Sequence, residues 1–304
     1  MTQAHDSARL AGLGTEAVRS DLADLDERPT ADLVRLALDE HHAVDAALEQ
    51  GAQALVEAVD AVAVRLRRGG RLVYLGAGTP GRLAALDAAE CPPTYGTSPD
   101  LVVAIVAGGA VGVARSTESS EDEGDAAVAA LRELEISEKD AVVGITASGR
   151  TPYVVEGLRA AGAVGALTVS IANNEGAESS TVADIAIETP TGPELVAGST
   201  RLKAGTAQKI VLNSLSTLVM VRLGKTYGNL MVDVAPGNEK LRDRGRRIVE
   251  AATGASRDAA SAALEAADGS VKVAIVMLLA DVAADDAVRR LGDGRSVREA
   301  LSAS

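Results

Sequence analysis

The apolar positions of this chain change period along its length, and that change divides it. Residues 1–29 are polar and weakly patterned, and predict an arm or a poorly ordered lead. From Thr30, a candidate N-cap, Leu33, Leu36, Ala37, Val44, Ala47 and Leu48 follow helical spacing. A second helix is predicted over 52–67, stopped by Gly69-Gly70. Short apolar runs then alternate with helical stretches. "RLVYLG" (71–76), "LVVAIVAGG" (101–109), "DAVVGITA" (140–147), "AVGALTVSIA" (163–172) and "ADIAIETP" (183–190) are strand candidates. They alternate poorly, as strands covered on both faces do. The expected class is therefore α/β, with a mostly parallel five-stranded sheet flanked by helices. A long helix over 200–223 ends at Gly224, and "YGNLMVDVAPGN" leads away from it as a loop. Beyond 238 there is no strand pattern. Helical stretches at 239–252, 256–267, 270–280, 284–291 and 296–302 are punctuated by "ATGAS", "ADGS" and "LGDGRS". The predicted organisation is an arm at 1–29, an α/β domain with N-terminal helices at 30–235, and a small C-terminal helical domain at 236–304.

The first strand runs into "GAGTPG", where Gly76, Gly78 and Gly81 form a G-x-G-x-x-G. A dinucleotide site also needs a carboxylate about 20 residues on, at the tip of the next strand, to hold the ribose. Here that strand ends in "AGGAVG", and Asp87 and Glu90 come too early, near the end of the intervening helix. The glycines by themselves do not make an NAD site. A second small-residue loop, "TASGRT" (146–151), also stands between a strand and a helix, and gathers Thr146, Ser148 and Thr151. The first N–H groups of a helix lack internal partners and the dipole there favours negative charge, so such loops accept phosphate. Two of them at the carboxyl edge of one sheet would line one pocket. The plainer reading makes each a tight turn with an N-cap.

Composition narrows the partners. The formal net charge is −13 and the pI about 4.8, which argues against nucleic acid or an anionic membrane. An anionic ligand must be drawn by a local arrangement. No run approaches the roughly 18 apolar residues of a membrane helix, and the N-terminus has no long apolar stretch. With Cys91 alone there is neither an internal disulfide nor a zinc cluster. These features predict a soluble, cytoplasmic protein. The core has no Trp or Phe and only four Tyr, and must be made from Ala, Val, Leu and Ile.

"YLGAGTPGRLAALDAAECPPTYG", "VVGITASGRTPYV", "GSTRLKAGTAQKIVLNSLST" and "GKTYGNLMVDV" resemble the N-acetylmuramic acid 6-phosphate etherases, which carry the sugar isomerase (SIS) domain. The likeness runs from about 28 to 300. It implies a SIS-type fold, a phosphorylated amino sugar as substrate, and a homodimer. It also implies cleavage of the lactyl ether at C3 of the sugar. With the ring open, the C1 aldehyde acidifies the C2 proton; a base removes it, lactate leaves from C3, and water adds to the conjugated aldehyde. Such chemistry needs an acid and a base within hydrogen-bond reach, and no metal or redox cofactor.

Histidines cannot supply that pair: His5 is in the arm, and His41-His42 sit on a polar stretch of an early helix. Cys91, beside Pro92-Pro93, reads as a small packed residue. Glu90 stands where an apolar helix meets a proline stop and is a candidate for a partly desolvated acid. Glu121, in "STESSEDEGD", reads from its neighbours as part of a solvated helix start. The resemblance makes Glu90 the acid at the leaving oxygen and Glu121 the base at C2. Substrate-binding candidates are Gly78, Thr79, Ser148, Gly149 and Thr151, with Ser199, Thr200, Arg201 and Lys203 at the next helix start. The alternative for the last group is capping and surface pairing. Several positions depart from the family pattern: Pro80 replaces a serine, Ala110 a glutamate, "ANNEGA" an Asn-Pro turn, and "ESSED" the usual "EGAED". Two other functions share the architecture: a phosphosugar sensor like the glucokinase regulatory proteins, which would not release lactate, and an aldose–ketose isomerase.

Overall fold

The computed structural model describes residues 13–115, 118–233, 239–292 and 294–303. Within the described part of the lead, 13–29, three short 3-10 turns occur, and Leu13, Thr15 and Leu22 are buried. Helix α1 (Thr30–Asp39) is preceded by Pro29, whose carbonyl accepts from the N–H groups of Asp32 and Leu33. Thr30 is thus inside the helix rather than its cap. Helix α2 (His41–Arg67) begins well before the predicted 52 and runs through Gly51. Gly51 is a packing site: a Cβ there would lie 3.2 Å from the Glu188 carbonyl oxygen and 3.0 Å from Thr189 Cγ2.

The sheet contains β1 (Leu72–Gly76), β2 (Val102–Val106), β3 (Ala141–Thr146), β4 (Leu167–Ala172) and β5 (Ile185–Glu188), in the order β2-β1-β3-β4-β5. Every pairing is parallel, as expected for strands joined by helical crossovers. All residues of β1, β3 and β4 are buried, which is why they read as continuous apolar runs. Helix α3 (Gly78–Tyr95) follows β1; α4 (Gly109–Ala114) and α5 (Gly124–Glu133) lie between β2 and β3; α6 (Pro152–Ala163) follows β3; and α7 (Glu178–Thr181) precedes β5. The long helix α8 spans Lys203–Arg222. With no Phe or Trp, the interior is filled by Leu72, Leu75, Ile145, Leu158, Ile171, Ile187, Leu212 and Leu215 around the single fully buried tyrosine among the largest side chains, Tyr74.

Helix α3 does not stop at its prolines. It runs through Pro92 and Pro93 and ends at Tyr95, after which the Gly96 N–H donates to the Pro92 carbonyl at 2.9 Å. The two prolines leave the carbonyls of Ala88 and Ala89 without their helical donors. "TYGNLM" forms a hairpin, β6 (Thr226–Tyr227) and β7 (Leu230–Met231), around Gly228-Asn229, where a loop was expected.

The chain makes two compact units. One contains the described residues up to Ala88 and Asp100–Leu215; the other contains Ala89–Pro99 and the described residues from Ser216 on. The second unit has its own core, with Ile248, Val249, Ile275, Leu291 and Val297, and carries helices α9 (Glu239–Thr253), α10 (Arg257–Ala266), α11 (Val271–Ala280), α12 (Ala284–Leu291) and α13 (Val297–Ser302). Three of these start where the sequence punctuation placed them: Ser256, Ser270 and Ser296 each accept an N–H bond from the first turn. No helix of the described residues is long and apolar enough to cross a membrane.

Candidate functional site

In the sheet, β1 and β3 are neighbours from which the chain proceeds in opposite directions, to β2 on one side and β4 on the other. That reversal opens a crevice beyond their carboxyl ends, and the two small-residue loops follow those two strands. In the loop after β1, Gly81 returns close to the strand: a Cβ on it would stand 2.7 Å from the Gly76 carbonyl oxygen and 2.8 Å from Val106 Cγ1. Gly78 has φ +58°, and a Cβ there would meet Glu121 Oε1 at 2.8 Å. The Glu121 carboxylate therefore lies directly over Gly78. Glu121 ends a 3-10 turn, Glu118–Glu121, and is half-buried rather than on a freely solvated helix start.

In the loop after β3, Thr146 Oγ1 is 2.8 Å from Thr151 Oγ1 and 3.5 Å from Ser148 Oγ. The Gly149 N–H donates to Thr146 Oγ1 at 3.2 Å, and the Arg150 N–H to Ser148 Oγ at 3.2 Å. Thr151 is the N-cap of α6, yet its hydroxyl makes no capping bond; it is turned to Thr146. Hydroxyl protons rotate, so this cluster can redirect donors toward an anion.

Thr79 meets the start of α8, where a Cβ on Gly205 would be 3.4 Å from Thr79 Cγ2 and 3.3 Å from the Thr200 carbonyl oxygen. Ser199 and Thr200 are half-buried there and Arg201 is exposed. Lys203 differs. Its side chain is only 7% exposed, and Nζ lies 2.5 Å from Glu40 Oε2. Arg19 pairs with the other oxygen of the same carboxylate. Burial pushes the Glu40 carboxyl up, but the two cations beside it outweigh that and hold it below the usual carboxylate range. The end of α8 is filled as well: buried Glu194 accepts the N–H groups of Lys203 and Ala204, both at 3.0 Å. Capping and internal pairing, the plainer alternative for Lys203, describe its surroundings.

Glu90 lies on α3 and is exposed, not desolvated, because the helix continues past the prolines instead of ending in an apolar corner. Cys91 is buried, and His41 and His42 are exposed, as their sequence surroundings imply; His5 is outside the described residues. Ala110 is exposed at the start of α4. The tip of β2 carries Ala107 and Gly108, with no ribose-binding acid.

Three polar residues around these loops were given no role from the sequence. Asp87 is buried and accepts from Tyr74 Oη at 2.8 Å and Asn213 Nδ2 at 2.6 Å, tying α3 to β1 and α8. Glu194 caps α8. Asn174 donates to the Ala147 carbonyl at 3.0 Å, next to Ser148. None belongs to a motif with fixed spacing, and only their burial with a named partner reveals them.

The chain is 53% identical over 298 residues to the N-acetylmuramic acid 6-phosphate etherase of Streptomyces coelicolor, covering 98% of this chain and 96% of that one. The chain belongs to the N-acetylmuramic acid 6-phosphate etherase family. Etherases of Rubrobacter xylanophilus, 53% identical over 96% of this chain and 97% of the other, and of Mycolicibacterium smegmatis, 51% over 97% and 99%, agree. Within this family member, the SIS domain family matches residues 123–218, and the glucokinase regulatory protein N-terminal SIS domain matches 54–162. Among solved structures, phosphoheptose isomerase from Francisella tularensis is similar with a TM-score of 0.46 and 13% identity, over 64% of this chain and 100% of that one.

Proposed function

We propose that this etherase-family chain is a carbon–oxygen lyase that converts N-acetylmuramic acid 6-phosphate to N-acetylglucosamine 6-phosphate and D-lactate. In this reading the phosphate lies in the crevice beyond β1 and β3, bound by Gly78, Thr79, Ser148, Gly149 and Thr151, with Ser199, Thr200 and Arg201 flanking it and Lys203 anchoring the helix behind. The phosphate takes no part in bond-making, so its binding serves position. Glu121 is the base at C2 and Glu90 the acid that protonates the departing lactate oxygen. The single observation that supports the assignment of the base is the position of Glu121, whose Oε1 would be 2.8 Å from a Cβ on Gly78, a glycine of the loop that this reading gives to phosphate. The enzyme is read as a homodimer of the cytoplasm, on the family resemblance and the soluble composition.

The test is D-lactate release from N-acetylmuramic acid 6-phosphate in isotopically labelled water. Elimination and addition put solvent oxygen at C3 of the sugar; label found only in lactate would refute the C3 elimination. A second reading, a non-catalytic phosphosugar sensor, is favoured by the match of 54–162 to the glucokinase regulatory protein domain. Binding of the sugar phosphate with no lactate released would establish it in place of the lyase.

A further inference from the structure

We propose that Leu13–Arg19 is a positioning strap that sets two of the elements assigned to substrate, through Thr15 the loop after β3 and through Arg19 the start of α8; this rests on that assignment. Thr15 is fully buried. Its backbone N–H donates to Asn174 Oδ1 at 3.4 Å, and its Oγ1 accepts from Asn174 Nδ2 at 3.0 Å. The same Nδ2 donates to the Ala147 carbonyl at 3.0 Å, and the Asn173 N–H donates to that carbonyl at 3.1 Å. The peptide held in this way is the one that leads into Ser148. One asparagine side chain, buried and fully engaged, therefore links the strap to the hydroxyl cluster.

The second link uses charge. Arg19 pairs with Glu40, and Glu40 pairs with Lys203 at the first position of α8, a helix whose end is fixed by Glu194. Glu40 is shared by two cations, so removing either leaves a largely buried carboxylate with half its neutralisation. Thr15 and Arg19 are four positions apart, and one reaches the loop after β3 and the other the start of α8, each through one intervening side chain. Neither touches the reacting atoms; both are positioning residues, because a loop displaced by a fraction of an ångström presents its donors off line. The polar, unpatterned lead carries no sign of this role in one dimension.

The experiment uses the full chain with Asn174→Ala, Thr15→Val, Thr15→Ser, Arg19→Met and Ser148→Ala. The readouts are KM and kcat for lactate release and the inhibition constant of inorganic phosphate. Asn174→Ala, Thr15→Val and Arg19→Met are each expected to raise KM about 5–10-fold with kcat within about twofold, and to weaken phosphate inhibition by the same factor. Thr15→Ser keeps the hydroxyl and should behave as the parent. In a Ser148→Ala background, Asn174→Ala should add less than about twofold, because both act through one loop. If Asn174→Ala does not fold, Thr15→Val, which removes only the acceptor, carries the same test. Additive effects in the Ser148→Ala background, or unchanged KM and phosphate inhibition in a folded Thr15→Val, would overturn the strap. A Ser148→Ala enzyme with unchanged KM and phosphate inhibition would instead overturn the assignment of the loop, and the strap's role with it.

Discussion

Gly78→Ala separates the local backbone requirement from the placement of the base. At φ +58° an alanine is in the left-handed region, which costs about 1–2 kcal/mol. The added Cβ would meet Glu121 Oε1 at 2.8 Å, where ordinary contact begins near 3.4 Å. That oxygen is the end of a flexible side chain, so it retreats at little cost in stability. The expected loss is therefore the backbone term alone, or a fall in Tm of about 2–8 °C for a unit of this size. The effect on rate is larger: a catalytic group misplaced by about 1 Å loses on the order of 10²-fold in kcat. Gly165→Ala is the control, with φ +82° and Glu138 Cβ at 3.4 Å and Cα at 3.9 Å, both ordinary contacts. It should lose similar stability and retain kcat. Thermal melts and lactate release on the two variants decide the matter. A folded Gly78→Ala enzyme with parental kcat would show that Glu121, as placed over this glycine, is not the base.

Three further outcomes are expected. Pro80, the third residue of α3, has no N–H to lose to the helix ladder, so Pro80→Ser should lower stability by about 0.4–1 kcal/mol through a freer unfolded chain, while tightening sugar-phosphate binding several-fold; unchanged or weaker binding by calorimetry would count against the loop. Glu194→Gln replaces a charged cap on Lys203 and Ala204 by a neutral one, and should cost about 1–2 kcal/mol in denaturant unfolding, an unchanged midpoint being the contrary result. Burial pushes Asp140 up, but the Arg71 guanidinium and the N–H groups of Ser137 and Arg71 outweigh it and hold its carboxyl below the usual range. A depressed folded pKa gives stability that is complete above the unfolded value near 4 and lost as pH falls through the folded one. Arg71→Met should cost about 1–3 kcal/mol at neutral pH, and its difference from the parent should shrink as pH falls below about 4, measured by unfolding midpoints from about pH 3 to 7.

What was legible in the sequence was what local pattern encodes. The doubly covered strands appear as runs, and the C-terminal helices announce themselves through Ser256, Ser270 and Ser296, because a cap and its N–H lie within one turn. The helix predicted from 52 starts at His41 and runs through Gly51, because a glycine inside a helix can let backbone approach closely, which one dimension does not record. Pro92 and Pro93 misled for a similar reason: proline weakens a helix by a finite amount that packing can outweigh. The loops of the candidate site were visible as glycine and hydroxyl clusters, but their neighbours were not. Glu121 over Gly78, Glu194 on α8 and Thr15 on Asn174 join positions far apart in the chain, and no periodicity records a long-range contact.

The second unit is discontinuous in the chain, taking Ala89–Pro99 from the middle of the first and completing itself only with the segment from Ser216 on. On a ribosome, where synthesis proceeds from the N-terminus, the short segment emerges long before the helices it belongs with. It must wait, tethered through the intervening segment that carries β2 to β5, and closing that loop costs entropy that grows slowly with its length. A stop codon placed after Leu215 would consequently orphan Ala89–Pro99 instead of releasing a clean N-terminal domain, and the two units must be inherited, and exchanged in recombination, as one piece.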